Sequence, residues 1–200
     1  MSAAAHTVLW VVGEPGIGKT TFCRKLFTSY GPELARIAKP KWTIFGPPRG
    51  SVEHISRLDV CAAVGHWNGH NFDGGDSVPP SDIKPAIGFY EERLTTYKLV
   101  IFDGDKFANG NAVTAVREAL RRKGEIAAFS QRTYQLVCLH LVGERAANEG
   151  RCARGSIQSE IWVKGRRTKS ARFAERFAKE FGPVITISKE RIGDDVGLSA

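Results

Sequence analysis

Eight residues near the start of the chain, Gly13 to Thr20, match the pattern G-x-x-x-x-G-K-[ST] at every fixed position. They follow an apolar run, Val8 to Val12, that is typical of a buried strand, and the apolar residues after Lys19 have helical spacing. A chance glycine-rich turn would not need such neighbours. A strand, a glycine loop and a helix start direct backbone N–H groups and the positive end of the helix dipole toward one point, where a phosphate can bind. The sequence therefore predicts a nucleoside triphosphate site.

Within this loop each residue type has an expected task. Lys19 would reach the β- and γ-phosphates as a catalytic residue, and the Thr20 hydroxyl would ligate Mg²⁺. The residues predicted to bind the nucleotide are Gly13, Glu14, Pro15, Gly16, Ile17, Gly18, Lys19, Thr20 and Thr21.

Strand and helix patterns alternate along the chain, which predicts an α/β fold with a mostly parallel central sheet flanked by helices. Continuous apolar runs such as Leu99–Phe102 are typical of parallel strands that are covered on both faces. The length of 200 residues fits one domain, with a loose tail at about 193–200. Strands are predicted at 6–12, 42–45, 58–64, 99–103, 134–142 and 184–187, and helical spacing occurs at 83–94, 113–120 and 173–181.

A second apolar strand ends in Asp103, as expected for the other half of a phosphate-binding site. Asp103 would approach the Mg²⁺ or the attacking hydroxyl, and either Asp103 or Asp105 could accept the proton of that hydroxyl. Asp105 could equally be the N-cap of the next helix. Asp103 is followed by Gly104, whereas motor-type ATPases carry a water-activating Glu there, and the chain has no Asn/Thr-Lys-x-Asp guanine motif. The sequence therefore favours transfer of the γ-phosphoryl group to an acceptor other than water.

Two segments resist assignment to simple elements. The arginine-rich segment at about 149–169 is predicted to be a lid, in which Arg154 and Arg166 contact phosphate during transfer. The same arginines could instead be exposed residues beside a helix. The glycine-rich segment at about 65–80 is predicted to be the acceptor-binding loop, although a purely structural loop is also possible. Its candidate substrate-binding residues are His66, Trp67, Asp73 and Asp76; a metal site there is not favoured, because the spacing typical of zinc ligands is missing.

The net charge of +8 suggests a nucleic-acid partner, or simply a solvated basic face. No stretch approaches the roughly 20 apolar residues of a membrane helix, and the first residues do not resemble a signal peptide. The four cysteines show no C-x-x-C spacing, which fits a reducing cytoplasm.

The order of these motifs resembles the adenylate-kinase-like branch of the P-loop nucleotide kinases. The usual D-G-F-P-R run is replaced by Asp103-Gly104-Asp105-Lys106-Phe107, so the arginine that would grip a nucleoside monophosphate is missing there. The chain is more similar to small bacteriophage kinases that phosphorylate 5-hydroxymethyluracil in DNA. The runs that carry this similarity are Val64-Gly65-His66, Phe72-Asp73-Gly74-Gly75-Asp76, Phe102 to Asp105, and Arg154-Gly155-Ser156 through Gly165 to Lys169.

That resemblance implies ATP as the donor, Mg²⁺ as the cofactor and a hydroxymethylated DNA base as the acceptor, in the host cytoplasm if a phage encodes the protein. The base could be flipped into the pocket while the basic surface holds the DNA backbone. Two alternatives remain at this point. One is a kinase of a free nucleoside, nucleotide or other small hydroxyl compound, and the other is a P-loop ATPase that acts as an accessory protein.

Overall fold

The computed structural model describes residues 6–29, 35–36, 55–57, 61–64, 74–75, 99–124 and 134–190. The strands in these ranges are β1 (His6–Gly13), β2 (Ala35–Arg36), β3 (Ile55–Arg57), β4 (Cys61–Val64), β5 (Leu99–Asp103), β6 (Tyr134–Val142) and β7 (Val184–Ser188). The helices are α1 (Lys19–Ser29), α2 (Gly110–Gly124), α3 (Glu144–Ala153) and α4 (Glu160–Glu180).

The strands form one sheet in the order β2-β3-β4-β5-β1-β6-β7. Five of them, from β4 to β7 in that order, run parallel, and β3 and β2 extend the β4 edge in antiparallel pairs. β1 lies at the centre between β5 and β6, so the loop that follows it opens where the strand order reverses. The predicted α/β fold with a mostly parallel sheet and flanking helices is confirmed.

Alternating side chains of the central strands fill a core on each face of the sheet. Trp10 faces one core, where it stacks on Phe102 at a ring distance of 5.0 Å and its indole N–H donates to the carbonyl of Phe107 at 3.2 Å. That core also takes the apolar faces of α2 and α4. The opposite core holds Val11 and Ile101 with the apolar residues of α1 and the small residues of α3. Burial on both faces explains why β1 and β5 read as continuous apolar runs.

The prediction of an irregular segment at 149–169 is wrong. Those residues comprise the end of α3, a connection at 154–159 and the first half of α4. The α3 pattern escaped detection because its buried face consists of Ala146, Ala147 and Gly150, which give little apolar periodicity. The first half of α4 buries little besides Val163, so it also reads as a polar segment.

The predicted strands at 6–12, 99–103, 134–142 and 184–187 and the helices around 113–120 and 173–181 are confirmed, and α4 begins earlier than the aromatic pattern indicates. Of the strand predicted at 58–64, residues 61–64 form β4. The strand predicted at 42–45, the helix at 83–94 and the tail at 193–200 lie outside the described residues. Across the described part of the chain, no helix combines the length and apolar character needed to cross a membrane.

Candidate active site

The phosphate-binding loop leaves β1 at Gly13 and enters α1 at Lys19, as the sequence predicts. Gly16 has a φ of +91°, and a β-carbon there would stand 2.3 Å from the carbonyl oxygen of Ala147 in α3. A β-carbon on Gly150, about one turn further along α3, would stand similarly close to the carbonyl oxygen of Gly16. Glycine is therefore required on both sides, because the loop packs directly against the backbone of α3.

Lys19 is buried, and its ammonium group donates to the carbonyls of Gly13 at 2.9 Å and Glu14 at 3.1 Å. Hydrogen bonds from the ammonium to two loop carbonyls hold the loop in shape around the lysine.

Thr20 and Asp103 come from the two halves of the predicted site and meet directly. The Thr20 hydroxyl donates to Asp103 Oδ2 at 2.9 Å, and Asp103 is only 1% exposed. The parallel register, in which Val11 pairs with Asp103, puts the carboxylate level with the start of the loop. A hydroxyl and a carboxylate are the oxygen donors that Mg²⁺ takes, so this pair fits the expected ion.

Gly74 and Gly75 of the predicted acceptor loop lie against this pair. A β-carbon on Gly74, whose φ is +90°, would stand 2.1 Å from Asp103 Oδ2 and 3.0 Å from the Thr20 hydroxyl. A β-carbon on Gly75 would stand 1.6 Å from the Asp103 carbonyl oxygen. The glycine-rich segment therefore brings bare backbone against the carboxylate. The candidate substrate residues His66, Trp67, Asp73 and Asp76 lie outside the described residues.

Asp105 is buried beside the same strand end, and two basic residues of α4 approach it. Arg166 Nη1 lies 3.8 Å from Asp105 Oδ2, and the Lys169 ammonium donates to the Asp105 carbonyl at 3.1 Å. The guanidinium of Arg166 also stacks over the ring of Trp162, 5.0 Å from its centroid. Asp105 is not the N-cap of α2, because Asn109 takes that place and accepts from the Ala112 N–H at 2.8 Å.

The two arginines predicted in the lid have different surroundings. Arg166 lies beside Asp105, as described above. Arg154 is exposed at the end of α3, where its Nε donates to the carbonyl of Gly150 at 3.1 Å. The structure thus places Arg166 at the site and turns Arg154 toward its own helix.

Two arginines that the sequence did not single out contact the loop itself. Arg167 donates from Nε and Nη2 to Glu14 Oε2 at 3.0 Å and 2.8 Å. Arg151 donates to the carbonyl of Pro15 at 2.9 Å and approaches Glu14 Oε2 at 3.9 Å. Partial burial acts to lower the pKa of Arg167, and the hydrogen bonds to Glu14 and Glu144 outweigh it, so the pKa is raised. Glu14 is thus buried as a paired carboxylate.

Lys189 is a further basic residue that sequence reasoning missed. Its N–H donates to the Val142 carbonyl at 2.8 Å beyond the end of β7, and its ammonium would lie 3.4 Å from a β-carbon on Gly18. Parallel pairing of β6 and β7 is what carries this residue to the loop. The sequence held no signal for it, because Lys189 follows the last predicted strand without any motif.

A cavity of about 180 Å³ lies beside Glu14 and Arg167 and is also lined by His140 and Ala171. Burial lowers the pKa of His140, since the charged imidazolium is poorly solvated there. His140 is therefore a neutral side chain near neutral pH. Its position at the carboxyl end of β6 brings a titratable group close to the donor loop.

Comparison with known protein families gives a match over most of the chain. No curated protein matches the chain. A sequence model described as P-loop Nucleotide Kinase3 matches residues 4–184. That match spans the donor loop, both aspartates and α4.

Proposed function

The chain belongs to the P-loop Nucleotide Kinase3 family, and we propose that it is an ATP-dependent kinase whose acceptor is 5-hydroxymethyluracil in DNA. The observation that carries the proposal is the Thr20–Asp103 contact beside a buried Lys19, with Gly104 following Asp103. This arrangement offers phosphate and metal ligands but no water-activating glutamate at the position where ATPases carry one. The family as a whole supports nucleotide binding and phosphoryl transfer, and the DNA acceptor is the more specific part of the proposal.

On the donor side, the loop N–H groups and Lys19 bind the β- and γ-phosphates of ATP. Thr20 and Asp103 would hold Mg²⁺, which neutralises phosphate charge when it is bound. Arg166 is 34% exposed and lies outside hydrogen-bond distance of Asp105, so its guanidinium is available to the migrating phosphoryl group.

On the acceptor side, we assign the proton to Asp105. Asp103 is assigned with Thr20 to the Mg²⁺, and Asp105 lies two residues further along, next to the arginine that would contact the migrating phosphoryl group. The acceptor oxygen forms a bond to the γ-phosphorus while the bond from that phosphorus to the β–γ bridging oxygen breaks. ADP leaves, and the hydroxyl proton passes to the Asp105 carboxylate.

Three features support DNA as the carrier of the acceptor hydroxyl. The chain has a net charge of +8, and residues 154–172 contain six basic residues against one acidic residue. Such an excess favours contact with a phosphate backbone. The third feature is the similarity of the glycine-rich and arginine-rich runs to hydroxymethyluracil-DNA kinases. A base flipped out of the duplex could reach Asp105 past the bare backbone of Gly74 and Gly75.

The test is incubation with γ-labelled ATP and an oligonucleotide that contains 5-hydroxymethyluracil, beside the same sequence with thymine. Label in the first oligonucleotide and none in the second is the expected result. Labelling of free 5-hydroxymethyl-2′-deoxyuridine or of nucleotides, with none in DNA, would replace this proposal with a small-acceptor kinase. Rapid release of phosphate without any acceptor would instead indicate an ATPase.

A further inference from the structure

Consecutive arginines of α4 face the two halves of the site. Arg167 binds Glu14 in the donor loop, and Arg166 lies 3.8 Å from Asp105 at the end of β5. Neighbouring residues on a helix point about 100° apart, so one rigid helix can place one arginine at the donor loop and the next at the end of β5. A movement of this part of α4 therefore displaces both side chains together.

Arg167 contacts two carboxylates. Its Nε and Nη2 both donate to Glu14 Oε2, and its Nη1 lies 3.1 Å from Glu144 Oε2 at the start of α3. Glu14 is 4% exposed, and its carboxylate contacts this partner and Arg151 at 3.9 Å. The three residues Glu14, Arg167 and Glu144 form a clamp that joins the donor loop, α3 and α4.

Besides the clamp, the first half of α4 is held by few buried apolar side chains and by the contacts of Arg166 and Lys169 with Asp105. Val163 is buried there, whereas Phe173, Ala174 and Phe177 anchor the second half. The preceding connection includes Gly155, which has a φ of +61° and open space around it. Polar contacts, the clamp foremost among them, therefore set where the first half of α4 lies.

We propose that Glu14 is a positioning residue that, through Arg167, places Arg166 for contact with the transferring phosphoryl group. This inference rests on the proposed phosphoryl transfer but not on the identity of the acceptor. Glu14 itself touches no phosphate in this scheme. It acts because a change in the clamp moves Arg166, which is one residue away on the same helix.

A different role for the same ion pair would be charge neutralisation alone. Arg167 would then serve to cancel a carboxylate beside the triphosphate site. In that case, removing the charge of Glu14 would strengthen ATP binding and leave turnover unchanged. Positioning predicts the reverse pattern, with a loss in kcat and an almost unchanged Kd for ATP.

The decisive experiment is a double-mutant cycle with E14Q and R166A, measured as kcat at saturating ATP. E14Q alone should lower kcat by roughly 10-fold to 100-fold, as expected for misplacement of a phosphate-binding group by about 1 Å. In the R166A background, E14Q should have no further effect on kcat. Glu175→Gln, an exposed residue on the same helix, is the matched control and should keep the wild-type rate. Additive losses, or a wild-type rate in E14Q, would overturn the proposal.

Hydrogen exchange supplies a readout that does not need the acceptor. In E14Q the backbone amides of residues 160–169 should exchange at least about 10-fold faster than in the wild type, while those of 173–180 stay unchanged. Equal exchange in both proteins would refute the clamp even if the kinase reaction is confirmed. Faster exchange in a protein that phosphorylates nothing would keep the clamp and reject the proposed function.

Discussion

Replacement of Gly74 by alanine should disable the site while leaving Lys19 and the backbone of the nucleotide loop in place. The added β-carbon would stand 2.1 Å from Asp103 Oδ2, whereas ordinary contact begins at 3.4 Å, so one group must move by about 1.3 Å (3.4 minus 2.1). A φ of +90° is in addition unfavourable for alanine by roughly 1 kcal/mol. The Asp103 carboxylate and the backbone at residue 74 are therefore both expected to shift, and they move apart.

That shift breaks the 2.9 Å contact with Thr20 and moves the carboxylate away from the metal position. Misplacement of a reacting group by about 1 Å costs on the order of 100-fold in rate, or about 2.7 kcal/mol of activation free energy. Steady-state assays of γ-phosphoryl transfer should show this fall in kcat. The Kd for ATP should change by less than about 3-fold, because the added β-carbon meets the Thr20 hydroxyl and Asp103 rather than Lys19 or the backbone N–H groups of the loop.

Gly165→Ala is the matched control, since nothing lies within 4 Å of its added β-carbon. On the exposed side of α4 this change should leave kcat unaltered and raise the free energy of unfolding by roughly 0.5–1 kcal/mol. Thermal unfolding and ATP titration of both variants separate a local change from a general loss of fold. If Gly74→Ala keeps kcat within about 3-fold of wild type while folded, the close approach of this loop to Asp103 has no role in transfer.

Four further results are expected. Lys19→Ala should abolish transfer but leave the circular dichroism spectrum and the melting temperature nearly unchanged, since its partners are loop carbonyls rather than core residues; loss of the fold would contradict this. Asp103→Asn should lower kcat on the order of 100-fold while ATP binding, measured by calorimetry, weakens far less. In native protein, iodoacetamide should modify the exposed Cys152 well before Cys138. Burial raises the pKa of Cys138 to about 12, so roughly one thiol in ten thousand is ionised at pH 8. Peptide mass spectrometry checks the order of modification. Burial lowers the pKa of His140 in the folded protein. As the pH falls below about 6.5, His140 therefore binds a proton in the unfolded chain before it does so in the folded protein. The free energy of unfolding should consequently decrease toward pH 5. Urea titrations of His140→Gln should show a smaller decrease, and an identical pH profile would refute the assignment.

The donor half of the site was predictable because its signal is local. The spacing from Gly13 to Thr20 fixes a loop whose geometry depends on its own backbone, and the structure confirms the strand before it and the helix after it. Asp103 was found for a similar reason: an apolar run buried on both faces of a parallel sheet ends at the sheet edge where ligands bind. The contact between Asp103 and Thr20 then follows because β5 lies beside β1 in the sheet.

The arginine contacts could not be predicted, because they join residues that are far apart in sequence. Arg167 and Glu14 are separated by 153 positions, and Arg151 and Pro15 by 136. Basic residues are frequent throughout this part of the chain, so composition gave no reason to prefer Arg167 over Arg154. Which arginine reaches the loop depends on the direction in which its side chain leaves the helix. That direction depends on which face of the helix packs on the sheet.

In α3 the packed face is set by small residues. Ala147 and Gly150 allow the helix backbone to touch Gly16, and Arg151, next to Gly150, is thereby carried to the carbonyl of Pro15. Arg154 follows at the end of the helix, where it turns back to the Gly150 carbonyl.

The same reasoning applies to α4, where the phase of the helix assigns Arg167 to the donor loop and Arg166 to Asp105. A shift of one residue in the register of α4 would bring only one of the two arginines to a partner, and Gly165 or Thr168 would take the other place. The position of the arginines at this site therefore depends on helix phase, which small buried residues set in α3 and mainly Phe173 and Phe177 set in α4, more than on the number of arginines in the segment.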